Sequence, residues 1–164
     1  MTGKPRRSYE TGHRPKFLVV VDETPECDKA LYFAARRAGR VGADLLMLWV
    51  ISPPDYQHWL GVGELMKAEA EAEANAHLEK AARRARDVAA IEPQRAIRTG
   101  PRAEEIVRLI EEDEDISLLV LAAGSGSEGP GPLVSYTMKV AASFPVPIAI
   151  VPGQLGDREI DALA

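Results

Sequence analysis

The stretch from 116 to 152 constrains the fold most strongly, because two apolar runs flank a glycine-rich segment. The first run, Ile116–Ala123, leads directly into the loop Gly124-Ser-Gly-Ser-Glu-Gly129. A segment of helical composition follows, and the second apolar run is Val146–Val151. Glycines after a buried strand let backbone N–H groups approach an anion closely. The stretch therefore predicts strand, anion-sized loop, helix and strand, and it directs the search for function to the loop.

The remainder of the chain alternates in the same way between strand and helix patterns. Continuous apolar runs at 16–22 and 44–51 predict strands that are buried on both faces, as in a parallel sheet. A short, weakly apolar run at 94–98 predicts a strand at the edge of the sheet. The predicted helices span 25–41 with Thr24 as N-cap, 64–90, 102–113 and 133–143. Five strands separated by helices predict an α/β fold with right-handed crossovers.

The 164 residues suit one domain with two flanking segments. Residues 1–15 are basic and polar, and we expect them to form a flexible N-terminal arm. The domain proper is expected at 16–152, and 153–164 is expected to be a polar C-terminal tail.

The composition indicates which kinds of partner and which cellular compartment to expect. The net charge of −5 disfavours a nucleic-acid partner, which more often meets a basic surface. Cys27 is the single cysteine, which is typical of a reducing compartment. No apolar run reaches the roughly 18 residues of a membrane span, and the basic N-terminus lacks the apolar core of a secretory signal. We therefore expect a cytoplasmic protein without a membrane partner.

Asp22 and the glycine loop both follow predicted strands, so they are candidates for one shared crevice. Ligands of open parallel sheets bind beyond the carboxyl ends of the strands, where the strand order reverses. Asp22 could recognise a nucleotide base or sugar, accept a phosphoryl group, or simply cap the next helix. A phospho-acceptor site also needs an acid after the third strand and a lysine after the fifth. The sequence has Thr99 and Pro152 there, which disfavours that alternative.

The spacing of the glycines in the loop also matches a motif that does not fit its place in the chain. Gly124-x-Gly126-x-x-Gly129 fits the dinucleotide fingerprint, but that fingerprint belongs after the first strand, with an acid about 20 residues later. Here it follows the fourth strand, and Pro130 and Pro132 interrupt the helix entry. A plain Gly/Pro connection stays open as an alternative.

The remaining chemistry-bearing residues form no recognisable catalytic set. Glu69, Glu73 and His77 fall on one helical face and could in principle hold a metal, although a solvated charged face explains them better. Cys27 lies in the first turn of a predicted helix, whose dipole could lower the pKa of its thiol. No histidine is placed near it, so we interpret it as incidental. We therefore expect neither an enzyme nor a metal site.

Several segments together resemble the universal stress protein family from Lys16 to Pro152. They are Phe17-Leu-Val-Val-Val-Asp22, Trp49-Val50-Ile51, Gly100 with Ala103-Glu104-Glu105-Ile106, and Phe144-Pro-Val-Pro-Ile-Ala-Ile-Val151. The resemblance implies a Rossmann-like five-stranded parallel sheet of order 3-2-1-4-5 with helices on both faces. It also implies a homodimer that forms through the last strand.

The ATP-binding motif of that family is present only in part. ATP-binding members carry Gly-x-x-Gly, nine further residues, and then Gly followed by Ser or Thr. Gly126-Ser-Glu-Gly129 matches the first part, but alignment back from Phe144 puts Val134 and Ser135 at the final pair, only four residues after Gly129. Valine disfavours positive φ, and the two prolines of the loop lack N–H donors. We therefore expect weak or lost ATP binding.

The resemblance also suggests which residues would face a ligand. Its cofactor-binding set in this numbering is Asp22, Val50, Gly124, Gly126, Gly129 and Ser135. Asp22 and Val50 match the base and ribose side, which leaves room for a smaller adenine-containing ligand such as AMP in place of ATP.

The sequence therefore predicts a stress-response regulator or binding module of universal stress type. One alternative is slow ATP hydrolysis in the crevice between Asp22 and the loop 124–129. The lack of lysine and arginine between Ala122 and Thr137 disfavours it, because hydrolysis needs a cation at the γ-phosphate. Another alternative is binding of an unknown protein partner through the aromatic segment 56–59.

Overall fold

The structure is a computed structural model, and it describes residues 4–53 and 56–164. The strands are β1 (Lys16–Val20), β2 (Asp44–Ile51), β3 (Gln94–Thr99), β4 (Ile116–Ala123) and β5 (Ile148–Pro152). The helices are α1 (Cys27–Val41), α2 (Tyr56–Leu60), α3 (Glu64–Ala89), α4 (Arg102–Glu112), α5 (Pro132–Val140) and α6 (Asp157–Leu163). A short 3₁₀ turn, Ala141–Ser143, follows α5.

The five strands form one parallel sheet in the order β3-β2-β1-β4-β5. This confirms the predicted fold class and strand order. In the centre, Leu18 of β1 lies opposite Leu46 on one side and Leu119 on the other. The strand order reverses between β1 and β4, so the gap beyond their carboxyl ends is where a ligand would bind in such a sheet.

Helices cover both faces of the sheet and enclose two apolar cores. Successive strand residues point to opposite faces, so Val19 and Met47 are buried beneath α1 and α3, while Leu18 and Leu48 are buried on the other side. Ile110 of α4 is fully buried in that second core. The edge strand β3 has only exposed and half-buried residues, as its weakly apolar sequence predicted.

The first helix begins later than predicted. Thr24 was expected to be its N-cap, but α1 begins at Cys27, with Glu26 at the N-cap position. The reason is local: the Thr24 N–H donates to the Asp22 carboxylate at 2.9 Å, which closes a turn before the helix. The predicted end is confirmed, because Gly42 caps the helix in the left-handed region with φ 73°.

The N-terminal segment differs from the loosely attached arm that we expected. The Arg6 guanidinium donates to the carbonyl oxygens of Ile110 and Asp113 at 2.7 and 3.1 Å. These carbonyls lie at the end of α4, where a helix leaves acceptors unpaired and favours a positive charge. His13 also contacts Asp115 at 2.7 Å, so residues 4–15 pack along the α4–β4 connection.

The C-terminal segment is also more than the polar tail that we expected. Residues 157–163 form α6, and Ile160 is fully buried against the core beneath α1. The Tyr32 hydroxyl and the Arg36 guanidinium of α1 donate to the Asp161 carboxylate at 2.8 and 2.9 Å. The Tyr32 hydrogen bond, and next the Arg36 charge, lower the pKa of Asp161. The sequence did not predict this helix, because its composition is polar and Ile160 is its one buried residue.

Across the described parts of the chain, none of the helices is long and apolar enough to cross a membrane.

Candidate functional site

A crevice lies beyond the carboxyl ends of β1 and β4, at the reversal of strand order. Asp22, at the end of the β1 segment, and Arg102, the first residue of α4, line a narrow cavity of about 110 Å³. Residues 130–134, just after the glycine loop, form its opposite wall. Asp22 and Arg102 also line a neighbouring cavity of about 340 Å³, together with Val50 at the end of β2. The structure thus brings Asp22, Val50 and the cation Arg102 to the lining of one cavity.

The Asp22 carboxylate is already engaged by its own segment. One of its oxygens accepts hydrogen bonds from the Thr24 N–H at 2.9 Å and from the Thr24 hydroxyl at 2.5 Å. One sequence-based alternative was that Asp22 caps the next helix. In the structure its carboxylate instead closes a turn just before α1. Its side chain stays half-buried at the crevice, where a second lone-pair direction is available to a ligand donor.

The glycine loop is folded on itself. The Gly124 N–H donates to the Pro130 carbonyl at 3.0 Å, and the Gly129 N–H donates to the Gly126 carbonyl at 3.2 Å. Gly129 has a φ of 88°, which an L side chain rarely adopts, so the glycine permits this closure. Two N–H groups that could have faced a phosphate are therefore used inside the loop.

Glu26 lies where the loop meets the sheet. A Cβ built on Gly124 would be 3.2 Å from the Glu26 Oε1, and one built on Gly153 would be 3.0 Å from the Glu26 Cβ. The Glu26 side chain thus fits between the ends of β4 and β5, directly against the first glycine of the loop. It places a carboxylate against the start of the loop, and this negative charge is electrostatically unfavourable for a phosphate bound beside it.

Cys27 also lines the narrow cavity, but its thiol is buried and bonded to the backbone. The sulfur accepts the Asp22 N–H at 3.4 Å and donates to the Val20 carbonyl at 3.6 Å. Burial, the dominant cause, raises the pKa of Cys27 to about 12. The expectation that the helix dipole could lower this pKa is therefore wrong, because desolvation of the thiolate outweighs it.

A larger, mostly apolar cavity of about 620 Å³ adjoins Val50 on the β2 side. Its walls include Trp49, Trp59 of α2 and Met66 of α3. The segment 56–59, predicted as an exposed aromatic loop, lies partly outside the described residues, since the side chains of Tyr56 and Gln57 are not among them. Trp59 is half-buried and contributes to a cavity wall rather than to an exposed patch.

The other predicted site residues lie farther from these cavities. Gly124, Gly126 and Gly129 are absent from the linings of the two cavities at Asp22. Ser135 is exposed on α5, and its N–H donates to the Gly131 carbonyl at 3.0 Å within the helix start. Val134, which stands where the family motif has glycine, is buried and closes the narrow cavity instead.

A second cluster of polar side chains lies on the α3 side of Asp22. The His77 Nε2 is 3.7 Å from the Glu23 Oε1 and 3.8 Å from the Glu73 Oε1. The His77 ring stacks on Trp49, with centroids 4.5 Å apart and planes 12° from parallel. Glu69, which sequence spacing grouped with Glu73 and His77, lies outside this cluster, and Glu23 from the loop after β1 belongs to it.

Sequence reasoning missed three residues of these sites, namely Arg102, Glu26 and Glu23. Each follows the carboxyl end of a strand, so its position on the binding edge of the sheet was a usable signal. Arg102 comes directly after Gly100-Pro101, which end the β3 segment. Its approach to Asp22 depends on how α4 packs, which a single sequence does not reveal.

Comparison with known proteins adds an independent line of evidence. The sequence model described as the universal stress protein family matches residues 13–152. None of the curated proteins matches the chain significantly. Universal stress protein UspA from Lactobacillus plantarum is similar in structure, with a TM-score of 0.66 and 24% identity over 84% of this chain and 97% of that one.

Two similar solved structures contain adenine nucleotides. One is a universal stress protein in complex with cAMP, with a TM-score of 0.62 and 18% identity over 85% of this chain and 98% of that one. The other is the universal stress protein from Archaeoglobus fulgidus in complex with dAMP, with a TM-score of 0.58 and 20% identity over 84% and 96%. These likenesses support the same sheet and strand order as described above, and the match over residues 13–152 establishes that the chain belongs to the universal stress protein family.

Proposed function

We propose that this chain is a non-enzymatic regulatory module that binds a nucleoside monophosphate of the adenine class, with weak or lost binding of ATP. The ligand would lie at the crevice of Asp22, Val50 and Arg102. The observation that carries the proposal is the Glu26 carboxylate against Gly124, at a loop in which the N–H groups of Gly124 and Gly129 are already bonded.

Charge supports a short phosphate group over a long one. Asp22, Glu23 and Glu26 all lie at the mouth of the crevice, and Arg102 is the cation that lines both cavities there. A guanidinium can bind one phosphate with two parallel hydrogen bonds. A triphosphate would bring further negative charge towards Glu26, and repulsion between the two would weaken its binding. Arg102 also lines the cavity of about 340 Å³, whose lining does not include Glu26, and a monophosphate bound there would meet the cation without lying against that carboxylate.

Shape supports a planar base on the other side of Val50. The cavity of about 620 Å³ is walled by apolar and aromatic side chains, among them Trp49 and Trp59. Ligand pockets of this size are usually mainly apolar, with a few polar groups that orient the ligand. Asp22 and Arg102 supply such groups at the edge nearest Val50.

The structural relatives support the ligand class. The two similar structures with cAMP and dAMP each hold a nucleotide with a single phosphate. Both share the fold of this chain at low identity, so they suggest a ligand chemistry to test rather than a set of contacts.

Binding of AMP can be tested by isothermal titration calorimetry on three proteins. We expect wild type to bind AMP and Arg102→Gln to bind it at least about tenfold more weakly, because the phosphate loses its cation. Arg83→Gln is the matched control, since Arg83 is an exposed arginine on α3 away from the crevice, and it should bind AMP as wild type does. Equal affinity of all three proteins, or no heat of AMP binding to wild type, would overturn the proposal.

Slow hydrolysis of ATP is the competing function, and Arg102 is the observation that favours it. The cation that was missing from residues 122–137 is contributed by α4 instead. Hydrolysis would also need a metal ion and a positioned water at the γ-phosphate. Release of phosphate above the buffer background, lost in Arg102→Gln and retained in Arg83→Gln, would establish this function in place of the regulatory one.

The partner and the compartment belong to the same proposal. We propose a homodimer through β5, which lies at the edge of the sheet and carries the half-buried Ile148 and Ile150. An open strand edge beside apolar side chains favours pairing with a second copy. Sedimentation equilibrium should give twice the mass of one chain.

We propose that the protein is located in the cytoplasm, as the sequence predicted.

A further inference from the structure

We propose that Glu23, Glu73 and His77 form a binding site for a divalent transition-metal ion of the zinc class. One oxygen of each carboxylate and one imidazole nitrogen all lie within 4.8 Å of one another. Glu23 and Glu73 also line the cavity of about 620 Å³ that we propose for the base, so the metal titrations are made without nucleotide and their outcome does not depend on whether the chain binds AMP.

The donor set favours a transition metal over calcium or magnesium. Imidazole nitrogen suits zinc and its neighbours, whereas calcium and magnesium prefer oxygen ligands alone. One histidine with two carboxylates supplies three protein ligands, and water would complete a four-coordinate zinc. This mixture of nitrogen and oxygen donors is therefore the chemical basis for the choice of ion.

The distances from His77 to Glu23 and to Glu73 are too long for direct hydrogen bonds and are closer to the spacing of ligands around one ion. The His77 Nε2 is 3.7 and 3.8 Å from the two carboxylate oxygens, which is beyond hydrogen-bond length. Tetrahedral zinc with bonds of 2.0–2.1 Å keeps its ligand atoms about 3.3 Å apart. Inward rotamer shifts of less than an ångström would bring each donor within bonding distance of a central ion.

The scaffold holds the site from two directions. Glu73 and His77 are one turn apart on α3, so they project from the same helix face, and Glu23 approaches from the loop after β1. The Trp49 ring stacked on His77 fixes the plane of the imidazole, which reduces the entropy lost on binding. The half-exposed position leaves an open path for the ion.

A cavity of about 740 Å³ beside α3 is lined by the three residues of the cluster and by two cations, Lys80 and Arg84. Arg84 is held by Asp28 at 3.0 Å and by Asp157 at 3.2 Å, so its charge is compensated away from the cluster. Lys80 is one turn beyond His77 and would repel a metal ion. Lys80→Gln should therefore tighten metal binding.

The proximity of Trp49 to His77 provides a direct optical readout. The chain has two tryptophans, so Trp59→Phe leaves Trp49 as the single emitter. Titration of this variant with Co²⁺ should quench Trp49 fluorescence in a saturable manner, and excess Zn²⁺ should reverse the quenching. Glu23→Gln, Glu73→Gln and His77→Gln in the same background should each weaken Co²⁺ binding by about tenfold or more.

Glu69→Gln is the matched control, because Glu69 is an exposed glutamate one turn before Glu73 and outside the cluster. It should bind Co²⁺ as the parent does. The two carboxylate variants of the cluster, Glu23→Gln and Glu73→Gln, change exposed side chains, so they test the site even if His77→Gln perturbs the stack on Trp49. Quenching that does not saturate, or that depends on His77 alone while Glu23→Gln and Glu73→Gln bind as the parent does, would overturn the proposal.

Discussion

The C-terminal helix gives the most quantitative prediction, through Ile160→Ala. Ile160 is fully buried in the core beneath α1, and it is the buried anchor of α6. Truncation of a buried isoleucine to alanine costs about 2–5 kcal/mol, and less where the surroundings can relax. Because α6 is short and terminal, we expect about 2–3 kcal/mol. For a domain of this size that corresponds to a fall in Tm of roughly 4–12 °C.

The assay is urea unfolding followed by far-UV circular dichroism, with Leu163→Ala as the matched control. Leu163 is on the same helix but is 64% exposed, so its truncation should change the free energy of unfolding by less than about 0.5 kcal/mol. Both variants should keep the urea m-value of wild type. If Ile160→Ala and Leu163→Ala unfold at the same urea concentration as wild type, α6 does not stabilise the domain and the reasoning is wrong.

Three further predictions concern single groups. Because its partners lower the folded-state pKa of Asp161, its stabilising effect is present above its unfolded value of about 3.9 and is lost as pH falls through the folded one. Asp161→Asn should therefore lose stability at pH 7 and show less additional loss towards pH 3 in urea melts. Cys27, whose pKa is raised to about 12, should react slowly with Ellman's reagent at pH 8 and rapidly in denaturing urea, and rapid native labelling would contradict the burial argument. Glu26→Gln should strengthen ATP binding by about tenfold and leave AMP binding unchanged, measured by calorimetry, because one negative charge is removed beside the loop.

The strands were predictable from the sequence because their signal is local. Apart from Asp44 and Ser117, the runs at 44–51 and 116–123 are apolar, which favours strands buried on both faces, and both strands have those bounds in the structure. Strand order came from the family resemblance rather than from periodicity. The start of α1 was missed because the Asp22 side chain takes the Thr24 N–H before the helix begins.

The two terminal segments show what a polar composition conceals. Arg6 is held by backbone carbonyls at the end of α4, and carbonyl positions leave no trace in a sequence pattern. The helix α6 has one fully buried residue, Ile160, which is too few for an amphipathic period. In both cases the stabilising contacts join residues more than 100 positions apart.

The candidate site was predictable in outline but not in its chemistry. Asp22 and Val50 could be placed on one edge of the sheet, because Asp22 follows β1 and Val50 lies at the carboxyl end of β2. The cation of the site and the carboxylate beneath the loop come from Arg102 and Glu26, whose side chains reach the crevice only through the packing of α4 and the turn before α1. Side-chain direction across elements is set by tertiary packing, which one sequence does not encode in any local pattern.

The most direct measurement is the order of affinities for AMP, ADP and ATP, each with excess Mg²⁺, by calorimetry on wild type. The account predicts that affinity falls with every added phosphate, because each one brings negative charge closer to Glu26. Tightest binding of ATP would contradict it, since the added phosphates would then gain affinity beside Glu26, where two N–H groups of the loop are already bonded.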